Sequence, residues 1–429
     1  MSKRRIPPAA GPASRNAPRR AGRLSAGLRS AILASPLLPK AARAVEEVST
    51  TASPSSALVT FPAVIGSALA ISWGAEAAQF FMAQGVALAI LAWLQTLPEY
   101  AVEFVIARSA AQDPARTHLM IANLTGALRL LTGLGWPMIV FTAWAFARKN
   151  KRPFDGVRLE PEHAIEIVCL VPSILYWFVI YARGSLGIVD GVVLIFFYGF
   201  YLWCLRIVPP QEHERLEDAD AVTRVIVRQT PFIRGLVIFL LFAGGGVLLY
   251  FMAHPFLESM LALSISLGIS QFVFIQWLAP FLSEFPEKVS AFNWARKVTT
   301  SPIAVMNMVS SNFNQWTVLA ATLPIVYSAY SGEVRAIHFD DFQRAEILLT
   351  LSQSMVASVL LMNMHFALLE AAGLFVLWLV QFLWADSREL ITVINFIWAA
   401  ALLVWLPLRG GGFPAVRLGW RLLVKRQPL

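Results

Sequence analysis

The chain alternates long apolar runs with short polar connections. A membrane-spanning helix needs roughly 20 mainly apolar residues, and each of these runs approaches or exceeds that length. The runs cover residues 56–73, 79–107, 118–146, 163–182, 186–207, 232–253, 259–295, 302–328, 344–363, 366–384 and 389–408. The pattern predicts an all-α polytopic membrane protein with five spans, a linker, five more spans and one extra C-terminal span.

The segments outside these runs are polar. Residues 1–55 are rich in Pro, Ala and Arg and contain no apolar run of signal-peptide quality, so a disordered basic tail is predicted. The linker carries acidic residues without the glycine turn and ligand spacing of an EF-hand, which favours a solvated connector over a calcium sensor. The predicted organisation is a tail at 1–55, a first membrane region at 56–207, the linker at 208–231, a second membrane region at 232–385, and the extra span with a basic tail at 386–429.

Composition agrees with a membrane location. Hydrophobic residues make up 57% of the chain and charged residues 14%, whereas about a quarter of a soluble domain is charged. The net charge of +9 comes largely from the tail and the loops, which favours basic residues flanking spans over a nucleic-acid surface. The expected partners are the lipid bilayer and small cations. The two cysteines, Cys169 and Cys204, provide neither a disulfide framework nor a zinc site.

Loop charges predict the orientation. Lys and Arg collect on one side, at 148–152, in the 206–234 linker, at 296–297 and in the C-terminal tail. The positive-inside rule places this side in the cytoplasm and the N-terminus outside. The basic tail opposes this orientation, but only Lys40 and Arg43 lie near the first span. Compact loops without a large regulatory domain favour a prokaryotic plasma (inner) membrane.

One polar segment occurs twice in this oily sequence. PEYAVEFVIAR at 98–108 and PEKVSAFNWAR at 286–296 match at five of eleven positions. Upstream, LQTLPE in the first copy corresponds to LSEFPE in the second, and downstream, NLTG corresponds to NMVS. Five predicted spans separate the copies, an odd number, so the copies cross the membrane in opposite directions. Such inverted repeats build secondary transporters with a substrate site near the midplane.

Each copy places a Pro-Glu pair inside a predicted span. Pro98 and Pro286 lack an N–H and free a carbonyl one turn back, and in hydrocarbon a bound cation can satisfy that carbonyl. Glu99 and Glu287 add charges that are costly at mid-bilayer unless they have a partner or a purpose. Two crossing broken helices would bring these carboxylates together, either to bind a divalent cation or to share protons.

Each of these glutamates has a second glutamate on its own helix face, Glu103 in the first copy and Glu284 in the second. Up to four carboxylates can therefore line one pathway. Ion pairs are the alternative for these two residues. Glu284 has the i, i+4 spacing to pair with Lys288, and Glu103 can pair with Arg129 from the next span.

Small polar side chains add a second layer. Gln95 and Thr96 in the first copy are answered by Ser283 and Glu284 in the second. Asn123 and Asn307 are predicted to start the following spans, and the second of these spans carries the further polar residues Ser310, Ser311, Asn312, Asn314 and Gln315. Amide and hydroxyl groups suit cation binding, but they also hold transmembrane helices together. Ser311 and Gln315 are favoured as ligands because they share a span with Asn307.

The two copies resemble the α-repeats of the cation/calcium exchanger superfamily, whose pattern reads roughly GTSLPE…GNxxGSNxxN/D. The resemblance rests on LQTLPE…NLTGALRLL and LSEFPE…NMVSSNFNQ and covers most of the chain from 56 to 385. It implies two inverted five-helix repeats, exchange of Ca²⁺ for Na⁺ by alternating access, and a site between spans two, three, seven and eight. It implies no bound cofactor, only the transported Ca²⁺ and Na⁺ or H⁺.

The resemblance also implies roles for single residues. Glu99 and Glu287 would be the central calcium ligands. The positions that match other ligands of the family are Thr96, Gln95, Ser283, Glu284, Ser311 and Gln315. The full set of candidate cation-binding residues is Glu99, Glu287, Thr96, Gln95, Ser283, Glu284, Glu103, Asn123, Asn307, Ser311 and Gln315.

The first repeat departs from the family pattern. Aliphatic side chains replace a serine and two asparagines at Ala127, Leu128 and Leu131. These losses put the flanking sodium sites in doubt and make proton coupling through Glu103 or Glu284 an alternative. The added Arg129 offers an internal substitute for a cation.

Three other functions compete with calcium/sodium exchange. One is a proton-coupled or non-calcium cation exchanger. A second is a non-transporting sensor or structural relative, suggested by the lost ligands in GALRLL. A third is a membrane enzyme that uses the carboxylates for acid–base chemistry. No nucleophile–base pair, metal motif or phosphate-binding loop accompanies the carboxylates in the sequence, so an enzyme is not expected.

Overall fold

The computed structural model describes residues 52–81, 96–207, 216–217, 219–408 and 412–425. These residues are largely helical, with four strands of two or three residues. Most of the predicted tail at 1–55, residues 82–95 of the predicted second span, and part of the linker lie outside the described ranges.

Six α-helices lie in the described residues of the first membrane region. They are α1 (Ala57–Gln79), α2 (Leu97–Gln112), α3 (Thr117–Leu130), α4 (Trp136–Lys149), α5 (Ala164–Arg183) and α6 (Ile188–Ile207). A π-helical turn, Leu131–Gly135, joins α3 to α4 without a break. Strand β1 (Gly156–Arg158) precedes α5, and strand β2 (Ser185–Leu186) follows it.

The next helix, α7 (Ala221–Val227), lies in the linker, and the remaining helices follow it. They are α8 (Pro231–Leu267), α9 (Gln271–Ser283), α10 (Phe285–Ala295), α11 (Ser301–Asn314), α12 (Ala320–Ser331), α13 (Asp341–Leu361), α14 (Leu368–Leu383), α15 (Arg388–Leu408) and α16 (Pro414–Lys425). A second π-helical turn, Gln315–Leu319, joins α11 to α12. Strand β3 (Ile337–His338) precedes α13, and strand β4 (His365–Ala367) follows it.

Seven helical stretches of the described chain are long and apolar enough to cross a membrane. They are Pro54–Ala78, Pro114–Lys149, Ala164–Arg183, Ile188–Arg206, Pro231–Leu267, Asp341–Leu361 and Ala385–Leu408. The chain is therefore a helical protein with several candidate membrane spans, as predicted. Three of the eleven predicted spans do not qualify, since they are short, interrupted or more polar: those at α9 with α10, at α11 with α12, and at α14. The predicted span at 79–107 is only partly described, because residues 82–95 lie outside the described ranges.

One predicted boundary is wrong. The sequence separates apolar runs at 232–253 and 259–295, but α8 continues through Pro255 and ends only at Leu267. The next residue, Gly268, has φ 68°, a left-handed conformation that glycine adopts without a steric penalty. Proline within a helix disturbs the backbone hydrogen bonds, but packing along the rest of the helix can hold the helix together. At 37 residues, α8 is about 55 Å long and exceeds a hydrocarbon core of about 30 Å, so it must tilt or extend beyond the core.

Helices α1 and α8 pack closely along each other. The rings of Phe61 and Phe256 meet edge to face at 5.4 Å between centroids, and the buried hydroxyls of Thr60 and Ser259 are hydrogen-bonded at 2.7 Å. At Gly245 a Cβ atom would lie 3.0 Å from the carbonyl oxygen of Ser67. Small side chains therefore let the two backbones come close.

The short strands connect the two halves of the chain. Strand β1 pairs antiparallel with β4, and β2 pairs antiparallel with β3. The connection before α5 thus meets the connection after α13, and the connection after α5 meets the connection before α13. This crossed pairing fixes which loops share one end of the helix bundle.

Candidate functional site

Both Pro-Glu pairs stand in the first turn of a helix. Pro98 lies at the start of α2 and Pro286 at the start of α10, where the missing N–H costs no intrahelical hydrogen bond. Glu99 and Glu287 lie in the same first turns, near the positive end of each helix dipole. The predicted helix break is confirmed in the second copy, where Glu284 separates α9 from α10. In the first copy, Thr96 directly precedes α2, and residues 82–95 lie outside the described ranges.

Four carboxylates are buried in this region. The exposed fractions are 3% for Glu99, 0% for Glu103, 3% for Glu284 and 6% for Glu287. Glu99 is close enough to the other three to interact with them electrostatically. Buried carboxylates repel one another and lose their hydration. A bound cation or a bound proton relieves both effects, so the arrangement can bind positive charge.

In the second copy, α11 supplies the partners of Glu287. Ser311 Oγ donates a hydrogen bond to Glu287 Oε1, and Asn307 Nδ2 donates to the same oxygen at 3.3 Å. Asn307 lies six residues after the first residue of α11, inside the helix rather than at its start. Two predicted site residues thus hold one predicted carboxylate.

The first copy uses the equivalent asparagine differently. Asn123 Nδ2 donates to Glu103 Oε2 at 2.9 Å, so this asparagine holds the second glutamate of α2 and not the glutamate of the Pro-Glu pair. Like Asn307, it lies inside its helix, six residues after the first residue of α3. The two halves of the site are therefore not equivalent.

The suggested pairing of Glu103 with Arg129 is wrong. Arg129 forms a buried ion pair with Glu346, and its Nη1 donates to Gln381 Oε1 at 3.0 Å. Six residues separate Asn123 from Arg129, and at 3.6 residues per turn their side chains leave α3 in different directions. Because the guanidinium is bonded to α13 and α14, the hypothesis that Arg129 substitutes for a cation beside Glu99 is not supported.

The suggested pairing of Glu284 with Lys288 is confirmed. Lys288 Nζ contacts Glu284 Oε2 across one helical turn, and both side chains are buried. The other carboxylate oxygen, Glu284 Oε1, accepts from Gln315 Nε2 at 2.9 Å. The site thus contains a lysine ammonium next to one of its carboxylates.

A hydrogen-bonded link joins the two copies. Asn314 Nδ2 donates to Thr96 Oγ1 at 2.9 Å, and Tyr100 OH donates to Asn314 Oδ1 at 2.6 Å. Asn314 belongs to the polar run noted in the sequence but is not one of the candidate ligands, and nothing in the sequence singles out Tyr100. These bonds bring the start of α2 against the end of α11.

Two other predicted ligands, Ser283 and Gln95, are not seen in contact with the carboxylates of the site. Ser283 Oγ donates to Ala279 O of its own helix at 3.0 Å, so its proton points into the backbone of α9. Gln95 lies outside the described residues. The remaining nine candidates lie in the described helices or at their ends, on α2, α10 and α11, at Asn123 of α3, and at the α9–α10 break.

Several buried polar atoms have no hydrogen-bond partner among the described residues. The oxygen atoms in this set that belong to the site region are Glu99 Oε1, Glu103 Oε1, Asn123 Oδ1, Asn312 Oδ1 and Gln315 Oε1. Among the described residues, no three Asp, Glu, His or Cys side chains converge closely enough to hold a metal. A cation bound here would therefore use one or two carboxylates with amide, hydroxyl or backbone oxygens.

The π-helical turns stand at equivalent places in the two copies. Each begins eight residues after its asparagine, at Leu131 after Asn123 and at Gln315 after Asn307. Such bulges are frequent at functional sites. The second turn presents the amide of Gln315 to Glu284, whereas the first begins with an aliphatic side chain.

Gly126 is the glycine of the NLTG motif in the first copy, and the packing around it shows why glycine is needed. A Cβ atom at this position would lie 1.7 Å from the carbonyl oxygen of Gln276, so only glycine permits this crossing of α3 over α9. The crossing is part of the frame that places Asn123 and the end of α9. Gly126 lies inside a helix and not in a turn, so glycine is required here because the two helix backbones approach closely.

Buried carboxylates at broken helices, within a bundle of candidate membrane spans, define a helical membrane protein of the ion-exchanger class. The model of the family described as sodium/calcium exchanger protein matches residues 55–206 and 237–385. The chain belongs to this family, and the resemblance read from the sequence is confirmed.

Solved structures are similar over most of the chain. An H⁺/Ca²⁺ exchanger, CAX, is 28% identical with a TM-score of 0.79, and the match covers 92% of this chain and 96% of that one. Native YfkE is 17% identical with a TM-score of 0.53, covering 79% and 91%. The sodium-calcium exchanger NCX_Mj, soaked with Na⁺ and Sr²⁺, is 15% identical with a TM-score of 0.51, covering 76% and 96%. The last two are similar in fold alone. No curated protein sequence matches the chain.

Proposed function

We propose that this protein is a secondary active cation antiporter that carries Ca²⁺ through a site between α2, α3, α10 and α11. The observation that carries the proposal is the pair Glu99 and Glu287, each buried in the first turn of a helix and near further carboxylates. Hard cations such as Ca²⁺ prefer oxygen ligands. Family membership supports an exchanger, and the unpartnered oxygens of the site supply further ligands.

The proposed architecture is two inverted five-helix repeats, 56–207 and 232–385, followed by α15 as an extra span. The same family model matches both halves, which supports an internal repeat. The crossed pairing of β1 with β4 and of β2 with β3 supports the inversion. In an inverted repeat, equivalent loops of the two halves lie on opposite faces of the membrane. A loop of one half can then pair only with a non-equivalent loop of the other half, which is the pairing that β1 to β4 form.

Transport in this proposal is by alternating access. The site helices form the core, and the packed pair of α1 and α8 slides or rocks past it. Long exposed side chains along α8, such as Phe239 and Tyr250, suit a helix that faces lipid. The movement exposes Glu99 and Glu287 to one side at a time.

Two observations favour H⁺ over Na⁺ as the driving ion. The H⁺/Ca²⁺ exchanger is the more similar of the two exchanger structures, by identity and by TM-score. In the first repeat, the buried side chains of Ala127, Leu128 and Leu131 replace oxygen-bearing residues of the family pattern, which leaves fewer ligands for flanking Na⁺. Protons that compete with Ca²⁺ for the same carboxylates link the two fluxes. Na⁺, favoured by the sequence resemblance, is the second candidate.

The test is ⁴⁵Ca²⁺ uptake into proteoliposomes under an imposed pH gradient and, separately, under an imposed Na⁺ gradient. We expect pH-driven uptake that is lost in Glu99→Gln and in Glu287→Gln. Glu333→Gln is the matched control, because Glu333 is exposed in a loop. Uptake driven only by the Na⁺ gradient would show that Na⁺, and not H⁺, is the driving ion. No uptake under either gradient would rule out Ca²⁺ as the transported ion and favour another ion or a non-transporting relative.

The predicted location and outer segments complete the proposal. The end of the bundle that carries β1 and β4 also carries the basic loop 148–152, which supports its assignment as the cytoplasmic side of a prokaryotic inner membrane. A disordered tail over most of 1–55 is proposed on its composition, and a solvated connector is proposed for the part of the linker 208–231 that precedes α7. The described part of the linker reaches the bundle, since Thr223 Oγ1 donates to the buried Glu76 at 2.8 Å.

A further inference from the structure

The last described helix, α16, lies beyond the segments that the family model matches. One face of this helix packs on the bundle. Ala415 and Leu422 are buried, and a Cβ atom at Gly419 would lie 3.4 Å from Val168 of α5. The opposite face is exposed and consists of Val416, Arg417, Trp420 and Arg421. These four positions follow the spacing of one helix face.

Backbone hydrogen bonds fix the level of α16 in the bundle. Ala415 N donates to Met362 O at 3.0 Å, and Leu159 N donates to Met364 O at 2.9 Å. Both acceptors belong to the connection between α13 and α14, where β4 also pairs with β1. Helix α16 and the loop between α4 and α5 therefore lie at the same end of the bundle.

That loop is strongly basic. Residues 148–158 contain five basic side chains and one acidic side chain, Asp155, and all six are exposed. Arg158 Nη2 donates to Asp155 Oδ2 at 3.1 Å, and this bond lowers the pKa of the Asp155 carboxyl below its usual value. The single acid thus remains ionised and offsets only one of the five cations.

Trp420 places this surface at the membrane–water boundary. Its side chain is 67% exposed, although tryptophan has a large apolar ring. Such rings are enriched at lipid headgroup level, where the ring meets the acyl boundary and the N–H meets water. The preceding helix, α15, is a candidate span that ends at Leu408. A short amphipathic helix just after a span, with arginines beside a tryptophan, is typical of an element lying in the interface plane.

We propose that the exposed face of α16, together with the basic loop 148–152, binds the headgroups of anionic phospholipids. The charge of the surface is complementary to a phosphate-bearing headgroup, and Arg417 and Arg421 present planar guanidinium groups that suit phosphate. Arg421 is the better probe, since Arg417 also lies beside Gly412. The proposal is independent of which ion the protein transports.

The test uses the full-length protein purified in a neutral detergent and mixed with equal amounts of phosphatidylglycerol and phosphatidylcholine. Native mass spectrometry then counts the lipids retained on each protein. We expect the wild type to retain phosphatidylglycerol several-fold more than phosphatidylcholine. The double variant Arg417→Gln/Arg421→Gln should lose most of this preference, and Arg421→Gln alone should lose part of it. Arg335→Gln is the matched control, because Arg335 is exposed near β3, at the other end of the bundle.

Several results would overturn the proposal. One is an equal preference in the wild type and the double variant, provided that both have the same thermal midpoint in lipid-free detergent. A second is displacement of the lipid by millimolar inorganic phosphate, which would indicate a site for free phosphate. A third is a dimer in lipid-free detergent that the double variant abolishes, which would assign the face to a second copy of the chain. If the double variant does not fold, Arg421→Gln and a salt titration of the wild type decide, since headgroup binding through charge weakens with salt.

Discussion

Arg388, the first residue of α15, forms a buried ion pair with Glu346 of α13. Glu346 also pairs with Arg129 of α3, and its Oε2 accepts from Gln276 Nε2 of α9 at 2.7 Å. One carboxylate therefore ties four helices together. The C-terminal candidate span, α15, is thereby connected through Glu346 to α3 and α9, the two helices that cross at Gly126.

Glu346→Gln should strongly destabilise the protein. The change leaves the buried guanidinium groups of Arg129 and Arg388 without a counter-charge, and losing one partner of a buried ion pair costs about 3–5 kcal/mol. The measurement is the unfolding transition in detergent. Glu389→Gln is the control, because Glu389 is exposed on the same helix as Arg388 and should change stability by less than about 0.5 kcal/mol. Equal shifts for both variants would contradict the role of the network.

Gly126→Ala should weaken both folding and transport. The added methyl group overlaps the carbonyl of Gln276, so α3 and α9 must separate, and overpacking of this kind costs about 1–3 kcal/mol. The thermal midpoint and calcium uptake should fall together, because the same crossing frames the site. Gly244→Ala is the control, since nothing lies within 4 Å of a Cβ atom there. A variant with normal stability and normal uptake would show that the helices tolerate separation.

Ser311→Ala should raise the Ca²⁺ concentration needed for half-maximal uptake by about tenfold. The hydroxyl donates to Glu287, and hydrogen bonds to charged groups contribute about 1.5–3 kcal/mol, of which part is kept by Asn307. Ser310→Ala is the neighbouring control, because Ser310 pairs with Tyr201 instead. Uptake curves over a range of Ca²⁺ concentrations separate the two variants. Identical uptake curves for the two variants would show that Ser311 does not contribute to Ca²⁺ binding.

Lys288→Gln should change the charge moved with each Ca²⁺ ion. The ammonium balances Glu284 in the resting site, so its loss lets Glu284 bind one more proton or other cation during the cycle. Reversal potentials of calcium flux in proteoliposomes measure this charge. Lys297→Gln, outside the site near the end of α10, should leave the reversal potential unchanged. A Lys288 variant with the wild-type potential would indicate that Glu284 takes no part in the cycle.

The positions of the carboxylates were predictable because they depend on local sequence. A Pro-Glu pair inside an apolar run specifies a helix start and a buried charge at that point, and both copies have this form at Pro98 and Pro286. The pairing of Glu284 with Lys288 was equally local, since it follows from an i, i+4 spacing on one helix. The boundary at Pro255 was predicted wrongly, because packing of α8 along α1 can outweigh a proline that locally disfavours the helix.

The sequence by itself determined the membrane class, the repeated Pro-Glu segment and the family, because apolar runs and repeated motifs are properties of neighbouring residues. Only the tertiary structure decided that Arg129 binds Glu346, 217 residues away, and that Asn314 joins Thr96 across 218 residues. A side chain can choose among distant partners only once helix crossings and helix rotations are set. Those crossings follow from packing over the whole bundle, as at Gly126 and Gln276, and no single stretch of sequence contains them.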